Sequence, residues 1–499
     1  MPDAMPDAME EISYGRQLTE IAAAHPDDVG VTFVAPDGSE TPLSLRELES
    51  RANQIARSLI ANGVGKDDIV ALALGSVPEH VLVTLAIWKL GATLLPLRYD
   101  MPQWEIDRLL EVAEPAIVVS DIHSATCPVL TRDDLRETIG LDDSALPDTV
   151  SEIVNLLASS GSTGTPKLIV RPSRGVVSGD QLATTLFSDE GIEDRTLVCC
   201  PLYHVNGFRF TAPLMLEGSS VFVMEKFDAA LATELIKKHA ITYTVMVPTM
   251  LQRIARLDHI GPGDFESIRR IIYGGAKVPE WVVDRWLGLI PPERFWFTYG
   301  SSEGLGLCSM TGADWNNHRG STGRPMDCDL MICDDDGNQL PTGEVGHIYM
   351  RLTIQGRTFE YIGMPTPEPT ADGHFTVGDL GWVDEDGYLY IADRRQDMII
   401  TGGANVFPAE VENALSGHPE VVDQVVVPVP DEEWGHRVHA IIQVTDSDAR
   451  PTANELREWC KGRLASYKVP KSYEIVDRIP RTEAGKINRT KLGDDRKVS

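Results

Sequence analysis

The sequence predicts an α/β protein with more than one domain, and three observations lead to this fold class. The chain has 499 residues, which is too long for a single ordinary hydrophobic core. In its first part, short apolar stretches typical of buried strands alternate with amphipathic stretches typical of helices. This pattern indicates mostly parallel sheets covered by helices on both faces. From about Arg324 the pattern changes to short strands separated by turn signals, which predicts a small β-rich subdomain.

The clearest single element is an amphipathic helix over residues 44–63. Ser44 and Glu47 have the spacing of a capping box, and Gly63 marks the end of the helix. Seven apolar residues fall on one face, namely Leu45, Leu48, Ala52, Ile55, Ala56, Leu59 and Ile60. The other expected elements are strands over 68–74, 116–119, 197–200, 243–247 and 270–273, and helices over 79–90, 229–239 and after Pro248.

The C-terminal fifth of the chain is expected to form a compact α+β unit of its own. The β-rich pattern ends at the sequence ADRRQD, residues 392–397. We therefore expect a large N-terminal domain of α/β sheets over residues 1–396, with its β-rich subdomain at about 324–396. A small C-terminal domain would follow over residues 397–499.

The charge distribution argues against several classes of partner. The chain carries 45 basic and 75 acidic residues, a formal net charge of −30, which disfavours binding to nucleic acid or to an anionic membrane surface. Residues 457–497 are an exception, with 12 basic and 6 acidic residues. That segment is best suited to approach phosphates, although a solvated surface of mixed charge is the commoner explanation of such a run.

Cysteine usage and the N-terminus predict a cytoplasmic protein. The seven cysteines are an odd number without a C-x-x-C pair, so neither a disulfide framework nor a zinc site is indicated. The opening MPDAMPDAMEE is acidic and poor in apolar residues, unlike a signal peptide, and no run approaches the ~18 apolar residues of a membrane helix. No nucleic-acid or membrane partner is expected, and a homodimer is left open.

The sequence SSGSTGTPK at residues 159–167 has the composition of a polyphosphate clamp. Glycines let backbone N–H groups approach an anion, hydroxyl groups add donors, and Lys167 supplies a positive charge. The spacing differs from that of a P-loop NTPase, because Pro166 precedes the lysine and Leu168 follows it. A polar surface loop is the alternative explanation of the same residues.

Four polar stretches follow predicted strands. They are residues 159–167, His204, the pair Gly274-Gly275 and residues 299–304. Ligands in such sheets bind beyond the carboxyl ends of the strands. We therefore expect these stretches to meet in one crevice.

Five stretches have to be considered together. They are SSGSTGTPK (159–167), PLYHVNGF (201–208), YGSSEG (299–304), VGDLGWVDEDGYLYIADRRQDMIITGGANVFPAEVE (377–412) and PRTEAGKINR (480–489). In this order and at these separations, the chain resembles the AMP-forming acyl-CoA synthetases of the adenylate-forming superfamily. The resemblance covers nearly the whole chain. It implies that ATP and Mg²⁺ activate a carboxylic acid as an acyl-adenylate, and that the acyl group then passes to coenzyme A.

The resemblance assigns site residues by position. The catalytic residues that it implies are Lys486, His204, Lys167 and Glu303. Contacts with the nucleotide and coenzyme A are implied for Ser159, Ser160, Gly161, Ser162, Thr163, Gly164, Gly275, Ala276, Tyr299, Ser302, Asp379, Arg394, Gly402 and Gly403. Mg²⁺ is assigned to Glu303 with Ser302, since this hard cation prefers oxygen ligands. The alternative for Glu303 is a solvated acid in a loop.

In this scheme the N-terminal residues bind the adenylate. Lys167 and the clamp hydroxyls would face the leaving phosphates. Tyr299 would lie against adenine, with residues 274–276 as the opposite wall. Asp379 and Arg394 would contact the ribose; outside the pattern, Asp379 would be a turn-capping aspartate.

The C-terminal residues imply a two-step cycle with a mobile C-terminal domain. Lys486 matches a lysine that contacts the substrate carboxylate and the α-phosphate together, which favours the transition state; without the motif it would be a surface charge. Rotation about Asp397 would bring in Gly402 and Gly403 to line a channel for pantetheine. His204 matches the residue that gates this channel, and a core histidine bonded to a backbone carbonyl is the alternative.

Three positions depart from the common family pattern. Leu168 stands where Gly often follows the lysine, Ser302 where Thr usually precedes the acid, and Val377 where Thr usually begins T-G-D. None of them removes a charged participant. They leave open a ligase that only converts a supplied adenylate to a thioester. An adenylate-forming amide synthetase and a non-catalytic nucleotide-binding protein are further alternatives.

The substrate is expected to be a hydrophobic carboxylic acid. Relatives that activate amino acids usually carry an Asp shortly after the PLYH-like stretch, and residues 205–211 contain none. The pocket walls are expected at 205–210, 247–250, 273–275 and 304–307, where glycines leave depth and Val, Leu, Met and Phe make the pocket apolar.

Overall fold

The computed structural model describes residues 11–121, 127–160, 166–177, 194–353, 359–431, 433–444, 450–482 and 487–496, without the side chains of 159, 160, 166, 377, 396 and 490. The α-helices in these ranges are Tyr14–Ala24, Leu45–Ala61, Pro78–Lys89, Gln103–Ala113, Arg132–Glu137, Val205–Phe208, Ala212–Leu216, Ala229–Lys238, Pro248–Ala255, Glu280–Leu287, Pro408–Ser416, Ala453–Lys461 and Arg489–Asp494. None of the helices in the described ranges has the length and apolar composition needed to span a bilayer.

The largest sheet has nine strands among the described residues. In spatial order they are Arg324–Pro325, Leu307–Thr311, Phe295–Gly300, Arg270–Tyr273, Tyr243–Met246, Arg195–Val198, Ser220–Met224, Val29–Val34 and Glu40–Ser44. Neighbouring strands run parallel from Phe295–Gly300 to Val29–Val34, and the pairings beyond them on both sides are antiparallel. The parallel part is the one that the alternation of strands and helices predicts.

The parallel strands that the sequence predicts are divided between two sheets. The strands of the second sheet are Thr93–Pro96, Ile69–Ala73, Ile117–Ser120 and Val129–Leu130, all parallel. One hydrophobic core joins this sheet to the large one through the buried faces of helices Leu45–Ala61 and Pro78–Lys89. The strand pattern is the same in either sheet, so the sequence alone did not show this division.

The strand that opens the clamp belongs to neither parallel sheet. Leu156–Ser160 pairs antiparallel with Pro166–Val170, which pairs antiparallel with Glu360–Ile362. The clamp does follow a strand, as expected, but it connects the two strands of a hairpin. Only residues 161–165 separate these strands, too few for the crossover that parallel strands need. We call the pair of strands the clamp hairpin.

Antiparallel pairing dominates the rest of the described chain, and the one exception in the sheets below is the parallel pairing of Gly435–Val444 with Ser472–Val476. The β-rich sheet consists of Cys328–Cys333, Gly346–Leu352, Phe375–Val383 and Leu389–Arg394. The C-terminal part has a hairpin of Ile399–Thr401 and Ala404–Val406, and a sheet of Val421–Asp431, Gly435–Val444 and Ser472–Val476. Its apolar residues form a separate core with two of its helices, as expected for an α+β unit. The boundary at residues 396/397 stays a prediction.

The structure confirms the capped helix, but one residue expected on its buried face is exposed. In the helix Leu45–Ala61, Ser44 Oγ accepts from the Glu47 N–H at 3.3 Å, and the Ser44 N–H donates to Glu47 Oε2 at 2.8 Å. Ile60 was expected on the apolar face but is 48% exposed, whereas Leu59 is fully buried. Consecutive helical residues point about 100° apart, which places Ile60 outside the buried stripe.

A buried ion pair ties the helix Pro78–Lys89 to the helix Leu45–Ala61. Lys89 Nζ lies 2.7 Å from Glu49 Oε2, and the Lys89 side chain is 3% exposed. Lys89 Nζ also donates to Thr19 Oγ1 at 3.0 Å. Burial lowers the pKa of Lys89, and the charge of Glu49 opposes that shift.

We expect Lys89→Met to destabilise the N-terminal part by about 3–5 kcal/mol, because Glu49 would stay buried without its counter-charge. The measurement is the urea midpoint of unfolding. The double variant Lys89→Met/Glu49→Gln is the control and should recover most of the loss. A single variant with an unchanged midpoint would contradict this account of the pair.

Candidate active site

Lys167, Glu303 and Tyr361 meet at the clamp hairpin. Lys167 Nζ lies 3.3 Å from Glu303 Oε1 and 3.7 Å from the centroid of the Tyr361 ring. The Tyr361 hydroxyl donates to the same Glu303 oxygen at 2.6 Å. The side chains of Lys167 and Glu303 are only 14% and 8% exposed. A cation suited to phosphate and an acid suited to a metal ion therefore share one buried contact.

Tyr361 reaches Lys167 across two paired strands. Tyr361 lies opposite Ile169 in the antiparallel pairing of Glu360–Ile362 with Pro166–Val170. Lys167 and Ile169 are two residues apart and so point to the same face of their strand. Tyr361 is therefore the diagonal neighbour of Lys167 on that face, within reach of a long side chain.

Glu303 is presented by the turn that follows the strand Phe295–Gly300. Gly304, the next residue, has a φ of +73°, and a Cβ there would lie 2.7 Å from Arg171 Nη1. The positive φ therefore favours glycine where the chain turns away after Glu303. Ser302 is exposed while Glu303 is buried, so the two side chains differ in their surroundings.

Asp379 lies at the centre of a second cluster of polar side chains. The Tyr299 hydroxyl donates to Asp379 Oδ2 at 2.7 Å, and Arg394 Nε lies 3.3 Å from Asp379 Oδ1. Asp379 and Arg394 are opposite each other in neighbouring strands of the β-rich sheet. Burial and the charge of Asp379 raise the pKa of Tyr299, so its hydroxyl remains a donor.

The glycines after the strand Arg270–Tyr273 lie beside Tyr299's own strand. A Cβ on Gly274 would lie 2.6 Å from Thr298 Oγ1, so this close approach requires glycine. Gly275 has a φ of +90° with no atom within 4 Å of an added Cβ, and Ala276 is exposed. Open space therefore exists where the sequence predicts a wall for adenine.

His204 caps the short helix Val205–Phe208. Its Nδ1 accepts from the Asn206 N–H at 3.4 Å, a long hydrogen bond to a backbone donor. The helix packs through Phe208 against Leu157 of the clamp hairpin, in one small apolar cluster. His204 therefore caps a helix that packs on the clamp hairpin, and its gating role stays a prediction.

Gly402 and Gly403 form the two-residue turn between Ile399–Thr401 and Ala404–Val406. Their φ values are +55° and +80°, as a type I′ hairpin turn requires at both central positions. A Cβ on Gly402 would lie 2.5 Å from the Trp434 ring. Local geometry therefore accounts for both glycines, and their contact with pantetheine stays a prediction.

Asp397, the predicted hinge residue, lies in a cluster of charged groups. Arg489 Nε is 3.7 Å from Asp397 Oδ2, and the same guanidinium forms a bidentate pair with Glu412. The Asp393 carboxylate accepts from the Ala409 N–H at 2.9 Å. Burial raises the pKa of Asp397, and it raises the pKa of Asp393 to about 6. Arg489 thus offsets carboxylate charge on both sides of the predicted hinge.

Several predicted site residues lie outside what the structure describes. Ser159 and Ser160 are described by their backbone alone, as the last residues of their strand. The residues wholly outside the described ranges are Gly161, Ser162, Thr163, Gly164 and Lys486. The roles of all seven stay predictions.

Sequence reasoning missed Tyr361. This tyrosine lies outside the five stretches that carry the family resemblance, in a strand of three residues. Such a short strand has no periodicity that would single out one aromatic residue. Only its pairing beside Pro166–Val170 reveals the contact with Lys167.

The residues present fit Mg²⁺ that arrives together with a nucleotide. Within the described part of the chain, no three His, Cys, Asp or Glu residues are grouped as a metal cage. Glu303 supplies a carboxylate, and Mg²⁺ is commonly bound by one or two carboxylates with phosphate and water completing its shell. The clamp would supply donors for the phosphates.

Comparison with known proteins places the chain in a family. The model described as AMP-binding enzyme matches residues 18–355, and that of the AMP-binding enzyme C-terminal domain matches residues 410–486. The chain is 33% identical to the fatty acid–[acyl-carrier-protein] ligase ScoC of Streptomyces coeruleorubidus, with 91% of each chain covered. It is also 33% identical to a feruloyl-CoA synthase of Amycolatopsis sp, with 90% of this chain and 92% of the relative covered.

Among solved structures, the chain is similar to o-succinylbenzoate CoA synthetase (MenE) of Bacillus subtilis. The complex of that enzyme with its acyl-adenylate intermediate OSB-AMP matches with a TM-score of 0.80 and 25% identity, over 97% of this chain and 98% of that one. Its complex with ATP and magnesium ion matches with a TM-score of 0.79 and 25% identity, over 97% and 100%. The chain therefore belongs to the AMP-binding enzyme family, and within it to the AMP-forming acid–CoA ligases.

Proposed function

We propose that this protein activates a hydrophobic carboxylic acid with ATP and Mg²⁺ as an acyl-adenylate and then transfers the acyl group to coenzyme A. The observation that carries the proposal is the contact between Lys167 and Glu303. These residues are 136 positions apart, and the fold brings their charged groups to 3.3 Å. They are the cation and the acid that the resemblance assigns to the phosphates and to Mg²⁺.

The first half-reaction brings two anions together, because a carboxylate attacks the α-phosphate. Positive charge must therefore be placed where negative charge develops on the leaving pyrophosphate. Lys167 is held by a carboxylate and by an aromatic face, and phosphate oxygens can replace both partners. Mg²⁺ bound at Glu303 would add a Lewis acid at the phosphates. Lys486 would contact the carboxylate and the α-phosphate in the transition state.

The Asp379 group suits the ribose of the nucleotide. A carboxylate accepts two hydrogen bonds from neighbouring hydroxyl groups, and both of its oxygens already have donors in Tyr299 and Arg394. Arg394 is 64% exposed, so a ribose hydroxyl can replace it at little cost. Tyr299 is buried and is expected to keep Asp379 in place.

The acyl pocket is proposed to be apolar. Phe208, Phe210, Met250 and Leu305, from the predicted walls, are all buried. The relatives act on acids as different as fatty acids and the feruloyl group. Both are hydrophobic in their greater part, which agrees with the expected substrate class.

An acyl carrier protein is the second candidate for the thiol acceptor. The observation in its favour is the similarity to a fatty acid–[acyl-carrier-protein] ligase. Coenzyme A and a carrier protein both present a pantetheine thiol, so the adenylation site would be the same. An amide synthetase and a protein that only forms thioesters remain the alternatives from the sequence.

The decisive experiment separates the two half-reactions. The protein is incubated with ATP, Mg²⁺ and a panel of hydrophobic acids while pyrophosphate is followed, and separately with a synthetic acyl-adenylate and coenzyme A. We expect pyrophosphate in the first mixture and thioester in the second, since Leu168, Ser302 and Val377 replace no charged group. The loss of a threonine hydroxyl at Val377 costs about 0.5–1.5 kcal/mol, which slows a reaction without abolishing it. Thioester without pyrophosphate would limit the protein to the second step.

Lys486→Ala should lower the adenylation rate by about a hundredfold or more, because its contact is made chiefly in the transition state. ATP binding and thioester formation from a supplied adenylate should largely survive. Lys491→Ala is the matched control, since Lys491 is an exposed lysine of the nearby helix Arg489–Asp494. Equal losses in both half-reactions would remove Lys486 from the first step.

Asp397→Pro should impair one half-reaction far more than the other, because proline fixes φ near −65° in a segment that has to change its dihedrals. Asp397→Ala is the control, since it also removes the contact with Arg489 but leaves the backbone free. The rates of both half-reactions are measured for each variant. If Asp397→Pro and Asp397→Ala change the two rates equally, the hinge lies elsewhere.

A further inference from the structure

One oxygen of Glu303 is engaged by two donors. The Tyr361 hydroxyl donates to Glu303 Oε1 at 2.6 Å, and Lys167 Nζ lies 3.3 Å from the same oxygen.

The two donors differ in how firmly they are held. Lys167 has a long flexible side chain, and its ammonium group would be drawn towards phosphate oxygens when a nucleotide binds. Tyr361 is held by strand pairing opposite Ile169 and by contact of its ring with Phe359, at 5.1 Å between centroids. Tyr361 carries no charge, so phosphates attract it much less strongly than they attract the ammonium group of Lys167. Its hydroxyl can therefore remain on Glu303 while Lys167 moves.

We propose that Tyr361 is a positioning residue that holds Oε1 of Glu303 and leaves Oε2 for Mg²⁺. The inference rests on the proposed function, in which Glu303 binds the metal ion. Groups that hydrogen-bond to a metal-binding carboxylate fix its orientation, and losing one typically lowers metal affinity or activity by about 10–100-fold. The ring also has a role of its own. Lys167 Nζ lies 3.7 Å from the ring centroid, so the ring face would hold the ammonium group beside Glu303 before the phosphates bind.

If the hydroxyl of Tyr361 had only a structural role, its removal would have a different effect on ATP binding. A hydroxyl that only satisfies a buried carboxylate contributes to folding stability in the same way with or without a metal ion. A hydroxyl that orients the carboxylate contributes to the part of nucleotide affinity that depends on Mg²⁺. The two roles are separated by comparing ATP binding with and without the metal ion.

The test uses Tyr361→Phe, which removes the hydroxyl and keeps the ring beneath Lys167. Tyr390→Phe is the matched control, because it removes a hydroxyl that donates to Asp384 Oδ2 at 3.0 Å in the β-rich sheet. Its ring would keep its stacking on Trp382 at 4.0 Å. Calorimetry measures the affinity for ATP of each protein with and without Mg²⁺, so that no turnover is needed.

We expect the gain in ATP affinity on adding Mg²⁺ to fall about tenfold or more in Tyr361→Phe, because the lost hydrogen bond was made to a charged group. The affinity without the metal ion should be unchanged, and Tyr390→Phe should keep the full gain. In a Glu303→Gln background the gain should already be absent, so that adding Tyr361→Phe changes nothing further.

The outcomes separate this inference from the function on which it rests. A full Mg²⁺-dependent gain in Tyr361→Phe, or equal losses with and without the metal ion, would overturn the role of Tyr361 alone. A further loss in the double variant would show that the effect does not pass through Glu303. If ATP affinity of the wild-type protein does not respond to Mg²⁺, the proposed function fails together with the inference. Thermal melting of the unliganded variants shows that each is folded.

Discussion

The buried contact between Lys167 and Glu303 is the constraint on which the rest of the site depends. Removing two charges from water costs several kcal/mol per ion, and attraction offsets this cost only when the geometry is good. Here the two groups are 3.3 Å apart, and Tyr361 adds a hydrogen bond to the acid and an aromatic face to the cation. The clamp hairpin and the turn that presents Glu303 must therefore be held in fixed relative positions. When a nucleotide binds, its phosphates would replace Glu303 as the partner of Lys167.

The charged contacts around the predicted hinge differ in strength. Arg394 is 64% exposed in its pair with Asp379, and Arg395 is 52% exposed in its own ion pair. The contact of Arg489 with Asp397 is more buried, at 18% and 25% exposure. Exposed pairs contribute little and exchange readily with water, whereas a buried pair resists separation. Arg394, Arg395 and their partners Asp379 and Asp335 all lie before the predicted hinge, so a rotation about Asp397 would leave both exposed pairs in place. Asp397 and Arg489 both lie in the predicted C-terminal domain and would move together.

Glycines in the family-like stretches have local reasons for their presence. Gly304 turns the chain away after Glu303, Gly274 allows a close approach to Thr298, and Gly402 with Gly403 closes a tight hairpin. A positive φ accounts for Gly304, Gly402 and Gly403, and the lack of room for a Cβ beside Thr298 accounts for Gly274. A glycine in a motif can therefore serve the fold, and its meaning for ligand binding depends on the space that it leaves open, as at Gly275.

The sequence by itself determined the α/β class and the capped helix Leu45–Ala61, because these follow from periodicity and spacing among near neighbours. The charged residues of the candidate site were assigned by position through the family resemblance, and their roles stay predictions. Only the tertiary structure decided that the parallel strands form two sheets, that the clamp belongs to an antiparallel hairpin, and that Ile60 is exposed. It also brought Tyr361 to Lys167 and Glu303. The physical reason is that strand pairing and burial join residues far apart in the chain, and the alternation of side chains along a strand is the same whichever partner it has.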